Sequence, residues 1–281
     1  MLELRAKHPL AKLLKVAALP SSTFYYQVKV QQAGDKDQDL KSRITQVYHA
    51  HKGRYGYRRV WDDLTTNQGL PVNHKRVQRL MQEMELKSLV RVKKYRSYRG
   101  ECGKAADNLL DRQFKAERPN QKWVTDVTEF KVASEKLFLS TVQDLCTGEI
   151  IAHELAKGPS MKLVTGMLDK AFSKLKPGEK PLLHSDQGWQ YRAPKYQSLL
   201  AKHGLTQSMS RKGNCLDNAV MESFFGTLKT EYFYLNKFDN IAQLKAGVHD
   251  YIHYYNHDRI RSKLNGLSPA KYRAQFDSMP G

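Results

Sequence analysis

Three carboxylates stand out by their local setting. Asp126 lies inside Lys122 to Val132, a run rich in β-branched and aromatic residues. Asp186 closes the short apolar stretch Pro181 to Ser185 and is followed by Gln187-Gly188. Glu222 lies at the margin of a helical stripe formed by Met221, Phe224, Phe225 and Leu228. Oxygen donors from three elements suit hard divalent cations, Mg²⁺ or Mn²⁺. Two such ions about 3.5 to 4 Å apart stabilise the attacking and leaving oxygens of an in-line phosphoryl transfer. The chemistry implied is phosphodiester cleavage or exchange. Spacing alone does not select these residues, because 16 Asp and 12 Glu in 281 residues give about 0.7 Asp/Glu pairs at any separation by chance. Context does: ligands in open α/β sheets gather beyond the carboxyl ends of strands, where Asp186 is expected. Gly226 and Lys229 share the side of the helix that carries Glu222, aligning an acid, a gap and a cation.

The elements that must position these groups follow from periodicity and turn chemistry. Lys122 to Val132, Lys136 to Val142 and Glu149 to Leu155 read as three consecutive strands, with Thr147-Gly148 turning before the third. A helix capped by Ser160 carries Leu163, Val164, Met167, Leu168 and Ala171 on one face and stops at Pro177-Gly178. A strand ending at Asp186, a helix opened by Pro194, a strand over Leu205 to Ser210 and a helix capped by Asp217 or Asn218 complete the order βββ-α-β-α-β-α. This predicts an α/β fold, a ribonuclease H-like mixed sheet flanked by helices.

Upstream, residues 40 to 89 read as helices. Asn73 caps one in which Val77, Leu80, Met81 and Met84 recur at helical spacing while Lys75, Arg76 and Arg79 take other faces. The pattern is helix-turn-helix-like, with a small solvated bundle as the plainer alternative. Residues 87 to 104 follow as a basic tract carrying Lys93, Lys94 and Arg96 among aromatics, suited to a phosphate backbone and equally to a linker. The expected organisation is an all-α DNA-binding domain at 1–99, a linker at 100–118, a catalytic core at 119–232 and a helical extension at 233–281.

Charge supports a polyanionic partner. The net charge is +19, and residues 1 to 118 hold 25 Lys and Arg against 12 Asp and Glu, far more excess than the rest of the chain. Nucleic acid ranks well above an anionic membrane, since no basic amphipathic helix with a broad apolar face stands out. No stretch approaches the ~18 apolar residues of a membrane span. Lys12 and Lys15 interrupt the only run resembling a signal peptide, so a cytoplasmic, nucleoid-associated protein is expected. Cys102, Cys146 and Cys215 lie too far apart to suggest a disulfide framework or a cysteine zinc site.

At four stretches the chain resembles a known family. Trp-Val-Thr-Asp-Val-Thr (123 to 128), His-Ser-Asp-Gln-Gly-Trp-Gln-Tyr (184 to 191), the long segment 210 to 231 and Tyr-Tyr-Asn (254 to 256) are similar to OrfB-type insertion-sequence transposases of the IS-three group, within the retroviral integrase superfamily. The resemblance spans nearly the whole chain. It implies a DNA transposase whose DDE triad is Asp126, Asp186 and Glu222, with Lys229 as the basic residue seven positions on. Hydrolysis at an element's end frees a 3′-hydroxyl, which then attacks target DNA. Implied with it are two Mg²⁺ or Mn²⁺ ions, double-stranded DNA as partner, a homo-oligomer on DNA and an OrfA partner encoded upstream. Leu216 departs from the aromatic often found there, and the first half of the chain lacks the His/Cys zinc cluster of retroviral integrases.

Arg211 and Lys212, on the approach to Glu222, are placed for phosphate. Glu129 has the opposite strand parity to Asp126, and Asp144 reads as a turn residue. His184 reads as a packed strand-end histidine before a supporting donor, and Trp189 as either a base-stacking or a core-covering ring. Two rivals remain: a recombinase forming a covalent tyrosine–DNA link, separable by its indifference to chelation, and a DNA-binding regulator or inactive transposase relic.

Overall fold

The computed structural model describes residues 2–32, 34–90, 106–111, 113–211 and 215–278. The chain divides into two compact units, residues 1–47 and 48–281. The first holds α1 (Leu10–Val16), α2 (Ser21–Gln32) and most of α3 (Gln38–Ala50). Within it Asp35 accepts the Asp37 N–H at 2.8 Å and pairs with Lys41 at 2.6 Å, fixing the turn that leads into α3.

The second unit begins with the helix-turn-helix-like segment, α4 (Tyr57–Asp62) and α5 (His74–Glu83). The expected helix from Arg58 to about Thr66 is α4 continued by a wide π turn over Asp63–Asn67, where the Gln68 N–H reaches back five residues to Asp63. Asn73 caps α5 by accepting the Lys75 N–H at 2.8 Å, and Val77, Leu80 and Met81 are buried, as the periodicity predicts. This segment is bonded to the C-terminal part of the chain. The Tyr55 hydroxyl accepts the Ile260 N–H at 2.9 Å, and Ser262 donates to Asp62 at 2.7 Å. The division at 47/48 therefore groups these helices with the sheet, whereas the sequence suggests a boundary near 99. Most of the tract at that boundary, 91–105, lies outside the described residues.

Five strands form one sheet in the order β3-β2-β1-β4-β5: β1 (Lys122–Val132), β2 (Glu135–Asp144), β3 (Ile150–Ala156), β4 (Leu182–Ser185) and β5 (Thr206–Met209). β1 to β3 run antiparallel as a meander, and β4 and β5 lie parallel to β1. α6 (Met161–Phe172), α7 (Trp189–Arg192) and α8 (Pro194–Lys202) intervene, and α9 (Ala219–Glu231), α10 (Ile241–His257) and α11 (Pro269–Asp277) follow. The mixed sheet and its flanking helices match the expected ribonuclease H-like order. α7 is an addition to that order, and Asp186 helps set its entry by accepting the Gly188 N–H.

Strand alternation sorts two apolar layers. Trp123, Val142 and Leu183 pack with α6 and α8, while Val124, Phe130 and Leu139 pack with α9 and α10. At ~25 cal/mol per Å² of apolar surface, each layer supplies much of what fixes the sheet between helices. Residues 106 to 111 lie along β5: Met209 donates its N–H to Asp107 at 3.2 Å, and Leu109 and Leu110 donate to the Ser208 hydroxyl. That contact covers an edge that would otherwise offer unpaired backbone groups.

Candidate active site

The β1–β4 register pairs Thr125 with Ser185. One step beyond, on parallel strands about 4.8 Å apart, come Asp126 and Asp186. Even-numbered parity puts them on the sheet face that also carries Val124, the face packed by α9. Both line a cleft of about 210 Å³ together with Gly188, Gln190 and Tyr191. Asp126 Oδ1 accepts the Val127 N–H at 2.7 Å, and Asp186 Oδ1 accepts the Gly188 N–H at 2.8 Å. A Cβ at residue 188 would stand 2.9 Å from that Asp186 oxygen, so the glycine of Asp-Gln-Gly is required by the carboxylate two residues before it.

Electrostatics set this pair apart from ordinary carboxylates. Burial pushes Asp126 well above its usual range, and the charges of Asp186 and Glu222 push further; the Val127 N–H and Lys229 oppose them. Asp186 is also raised, by burial, against the Gly188 N–H and Arg192. Two half-buried carboxylates that disfavour each other's ionisation are a site for added positive charge. Glu222 occupies the first turn of α9, which packs on β1, and its charge reaches Asp126. It does not line the 210 Å³ cleft. Among the described residues no three His, Cys, Asp or Glu side chains are gathered closely enough to hold a metal ion. The structure thus joins the two aspartates directly and brings Glu222 only within electrostatic reach.

Lys229 sits in the last turn of α9 with its Nζ 5.3 Å from the Phe130 ring centroid, and its charge acts on Asp126. Arg211 spends its guanidinium on Asp217, at 3.1 and 3.2 Å, and its N–H bonds the same carboxylate. It braces the exit of β5 as well as carrying charge. Lys75, Arg76 and Arg79 are exposed on α5, with Arg79 paired to Glu83. Lys93, Lys94, Arg96 and Lys212 lie outside the described residues. Glu129, despite its opposite strand parity, also lines the cleft and is paired with Lys136 at 3.1 Å, and Asp144 binds the Asn120 and Thr147 N–H groups as a turn residue.

His184 is fully buried between two hydroxyls, with ring nitrogens 2.9 Å from Ser208 and 3.1 Å from Ser210. Burial lowers it to about 4, so it is a neutral imidazole tying β4 to β5. Trp189, three residues after Asp186, is 53% exposed and belongs to neither apolar layer. Tyr255 packs its ring against Phe224, and Asn256 exchanges two 2.9 Å hydrogen bonds with the Ile150 backbone, so the Tyr-Tyr-Asn stretch is structural.

Sequence reasoning missed a second ionic centre. Glu231, 3% exposed, accepts two 2.7 Å bonds from Arg259, one of 3.0 Å from Arg59 and one from the Tyr251 hydroxyl. Burial would raise its carboxyl, but the bonds and charge from Arg259 and then Arg59 hold it at about 2. Its partners lie 172 residues upstream and 28 downstream. The only local signal was the run Arg259-Ile-Arg-Ser-Lys263.

Models described as Integrase core domain match residues 116–215 and 222–276, and one described as HTH-like domain matches 35–94. A putative transposase InsK of insertion sequence element IS150 from Escherichia coli K12 is 58% identical over 97% of this chain and 96% of its own. The transposase of insertion sequence element IS904 from Lactococcus lactis is 37% identical over 83% of this chain and 92% of its own. InsF of insertion sequence IS3A from Escherichia coli K12 is 34% identical over 84% of this chain and 82% of its own. The simian T-cell lymphotropic virus intasome, solved with a PP2A regulatory subunit, shares the fold at a TM-score of 0.50 and 16% identity, over 78% of this chain and 74% of that one. Among the described residues no helix is long and apolar enough to cross a membrane. The chain belongs to the OrfB-type insertion-sequence transposases of the IS-three group, in the retroviral integrase superfamily, and its reaction class is polynucleotidyl transfer.

Proposed function

We propose that Asp126, Asp186 and Glu222 form the catalytic triad of this transposase and hold two divalent cations, Mg²⁺ or Mn²⁺. The observation that carries the reading is the register that sets Asp126 and Asp186 side by side on neighbouring parallel strands, each with a raised carboxyl. The donor set fits the ions: hard carboxylate oxygens, mutually repelling and open to a cleft. Bound there, the cations supply charge stabilisation for the attacking and leaving oxygens of an in-line phosphoryl transfer.

The reaction at an element's end breaks the bridging P–O bond with water and leaves a 3′-hydroxyl. In strand transfer that hydroxyl attacks a target phosphorus, so one phosphodiester forms as another breaks. The protein's own contribution is positional. Lys229, near Asp126, holds a phosphate by charge, and Arg211 and Lys212 extend that hold along the loop before α9. Trp189, exposed three residues after Asp186, offers a face for an unpaired base.

In this reading residues 1–99 bind duplex DNA, with Lys75, Arg76 and Arg79 on α5 and Lys93, Lys94 and Arg96 in the basic tract contacting the backbone. Residues 100–118 link that module to the core at 119–232, followed by the extension at 233–281. The protein acts in the cytoplasm at the nucleoid. It pairs two element ends as a homo-oligomer and works with an OrfA partner encoded upstream. The deciding experiment mixes purified protein with labelled insertion-sequence ends and Mg²⁺, comparing wild type with Asp126→Ala, Asp186→Ala and Glu222→Ala. Only wild type nicks the ends; equal nicking by all four proteins removes the triad.

A further inference from the structure

A groove of about 430 Å³ runs along the flank of α9, lined by Arg59, Arg259, Arg261, Lys263 and the hydroxyl-bearing Ser223 and Thr227. Among the described residues no carboxylate lines it. Two of its lining residues, Arg59 and Arg259, belong to the Glu231 centre, where both bond the carboxylate and Arg54 bonds the backbone carbonyl of the same residue at 3.1 Å. Arg259 and Arg54 are 5% and 8% exposed. One negative charge cannot neutralise three positive ones, two of them largely buried, and unpaired buried charge is costly. Arg261 adds another, held over the Tyr255 ring with a 3.2 Å bond to its hydroxyl. Among the described residues neither Arg261 nor Lys263 pairs with a carboxylate. Asp62, close by, accepts the Ser262 hydroxyl at 2.7 Å and is not part of the lining. The surplus is therefore directed at an open groove that also exposes the Ser223 hydroxyl.

We infer that this groove binds the phosphodiester backbone of the DNA whose reacting phosphate is held at Asp126 and Asp186. The inference rests on the polynucleotidyl-transfer reading of that cleft. Glu222, whose charge reaches Asp126, and Ser223, which lines the groove, are successive residues, so one helix serves both places. A helix with its side chains is about 10 to 12 Å across, and one strand of B-DNA advances about 3.4 Å per nucleotide. The groove accordingly takes phosphates about three nucleotides from the bond that is cut. Arg261 and Lys263 are the principal contacts, and Arg59, already shared with Glu231, sets the field.

The test measures DNA affinity against salt for wild type, Lys263→Glu and Ser223→Glu, which alter partly or fully exposed side chains on separate elements, and for Arg261→Ala with Lys263→Ala. Thermal melts verify folding. Each variant is expected to weaken binding about ten-fold or more, with the salt slope reduced by about one for each phosphate that is no longer neutralised. A duplex carrying neutral methylphosphonates two to four nucleotides from the cut should weaken wild type comparably and add little in the double variant. Unchanged affinity and slope in folded variants, or a methylphosphonate penalty of equal size in wild type and double variant, overturns the inference. Asp186→Asn runs in parallel as a control on the cleft. Cleavage by that protein refutes the catalytic reading, while the groove's salt slope still reports on the groove.

Discussion

Asp126, on β1, and Glu231, at the end of the α9 helix packed on that strand, are carboxylates with opposite surroundings. Asp126 opens on a cleft beside Asp186 and within reach of Glu222, and burial with like charge drives its carboxyl up. Glu231 is sealed among Arg259, Arg59 and Tyr251, and its carboxyl falls to about 2. In the first place negative charge exceeds positive and the side chains face open space. In the second, positive charge exceeds negative and the carboxylate bonds together segments far apart in the chain. The contrast separates a carboxylate that stabilises the fold from one held at a cost to it, as functional sites commonly are.

The largest effect is expected at the cleft. Asp186→Asn and Asp126→Asn are expected to lower DNA-end cleavage by about 10³-fold or more, since several kcal/mol of transition-state charge stabilisation depend on them. Metal-free Asp126→Asn should melt at or above the wild-type temperature at neutral pH, because the substitution removes a charge the folded state disfavours. A clear fall in its melting temperature would show that Asp126 supports the fold instead.

Glu231→Gln is expected to do the reverse. Removing the carboxylate leaves Arg259 and Arg59 without their partner and should cost about 3 to 5 kcal/mol by denaturant unfolding. Its pH dependence follows from the direction of the shift. A carboxyl lowered from 4.5 to about 2 in the folded state contributes stability that is fully present above pH ~4.5 and is lost as pH falls toward 2. The gap between wild type and Glu231→Gln should therefore narrow across that window. Asp126, shifted upward, acts in the opposite sense: its ionisation weakens the fold as pH rises above ~3.9.

Added Mg²⁺ sharpens the contrast further. At about 100 times its dissociation constant it should stabilise wild type by roughly 2.7 kcal/mol through linkage, leave Asp126→Asn with Asp186→Asn unmoved, and stabilise Glu231→Gln as much as wild type. Equal stabilisation of the double variant would place the ion elsewhere. The smallest expected effect is at Trp189. Trp189→Ala should weaken binding to single-stranded ends by about 1 kcal/mol, with no change in melting temperature because the ring belongs to neither apolar layer.

Much of the core was legible because its signals are local. The three-strand meander, the Thr147-Gly148 turn, the Asn73 cap and the apolar faces of α6 and α9 all follow from alternation, helical spacing and turn chemistry within a few residues. Asp186 could be placed at a strand end for the same reason. The role of Gly188 was not legible, since its need is set by the position of one Asp186 oxygen. The short helix α7 follows from the same turn.

By itself, the amino-acid order determined the sheet's elements, the excess of positive charge and the identity of the candidate carboxylates, because each is written in neighbouring residues and their periodicity. Tertiary structure alone decided that Asp126 and Asp186 are register neighbours, that Glu222 bears on Asp126 without lining their cleft, and that Arg211 is bound to Asp217. It also decided that Arg59, Glu231 and Arg259 meet at one buried point beside a cationic groove. Which charges become neighbours depends on how the helices and strands pack, and Coulomb interactions and desolvation respond to distance in space, not to separation along the chain.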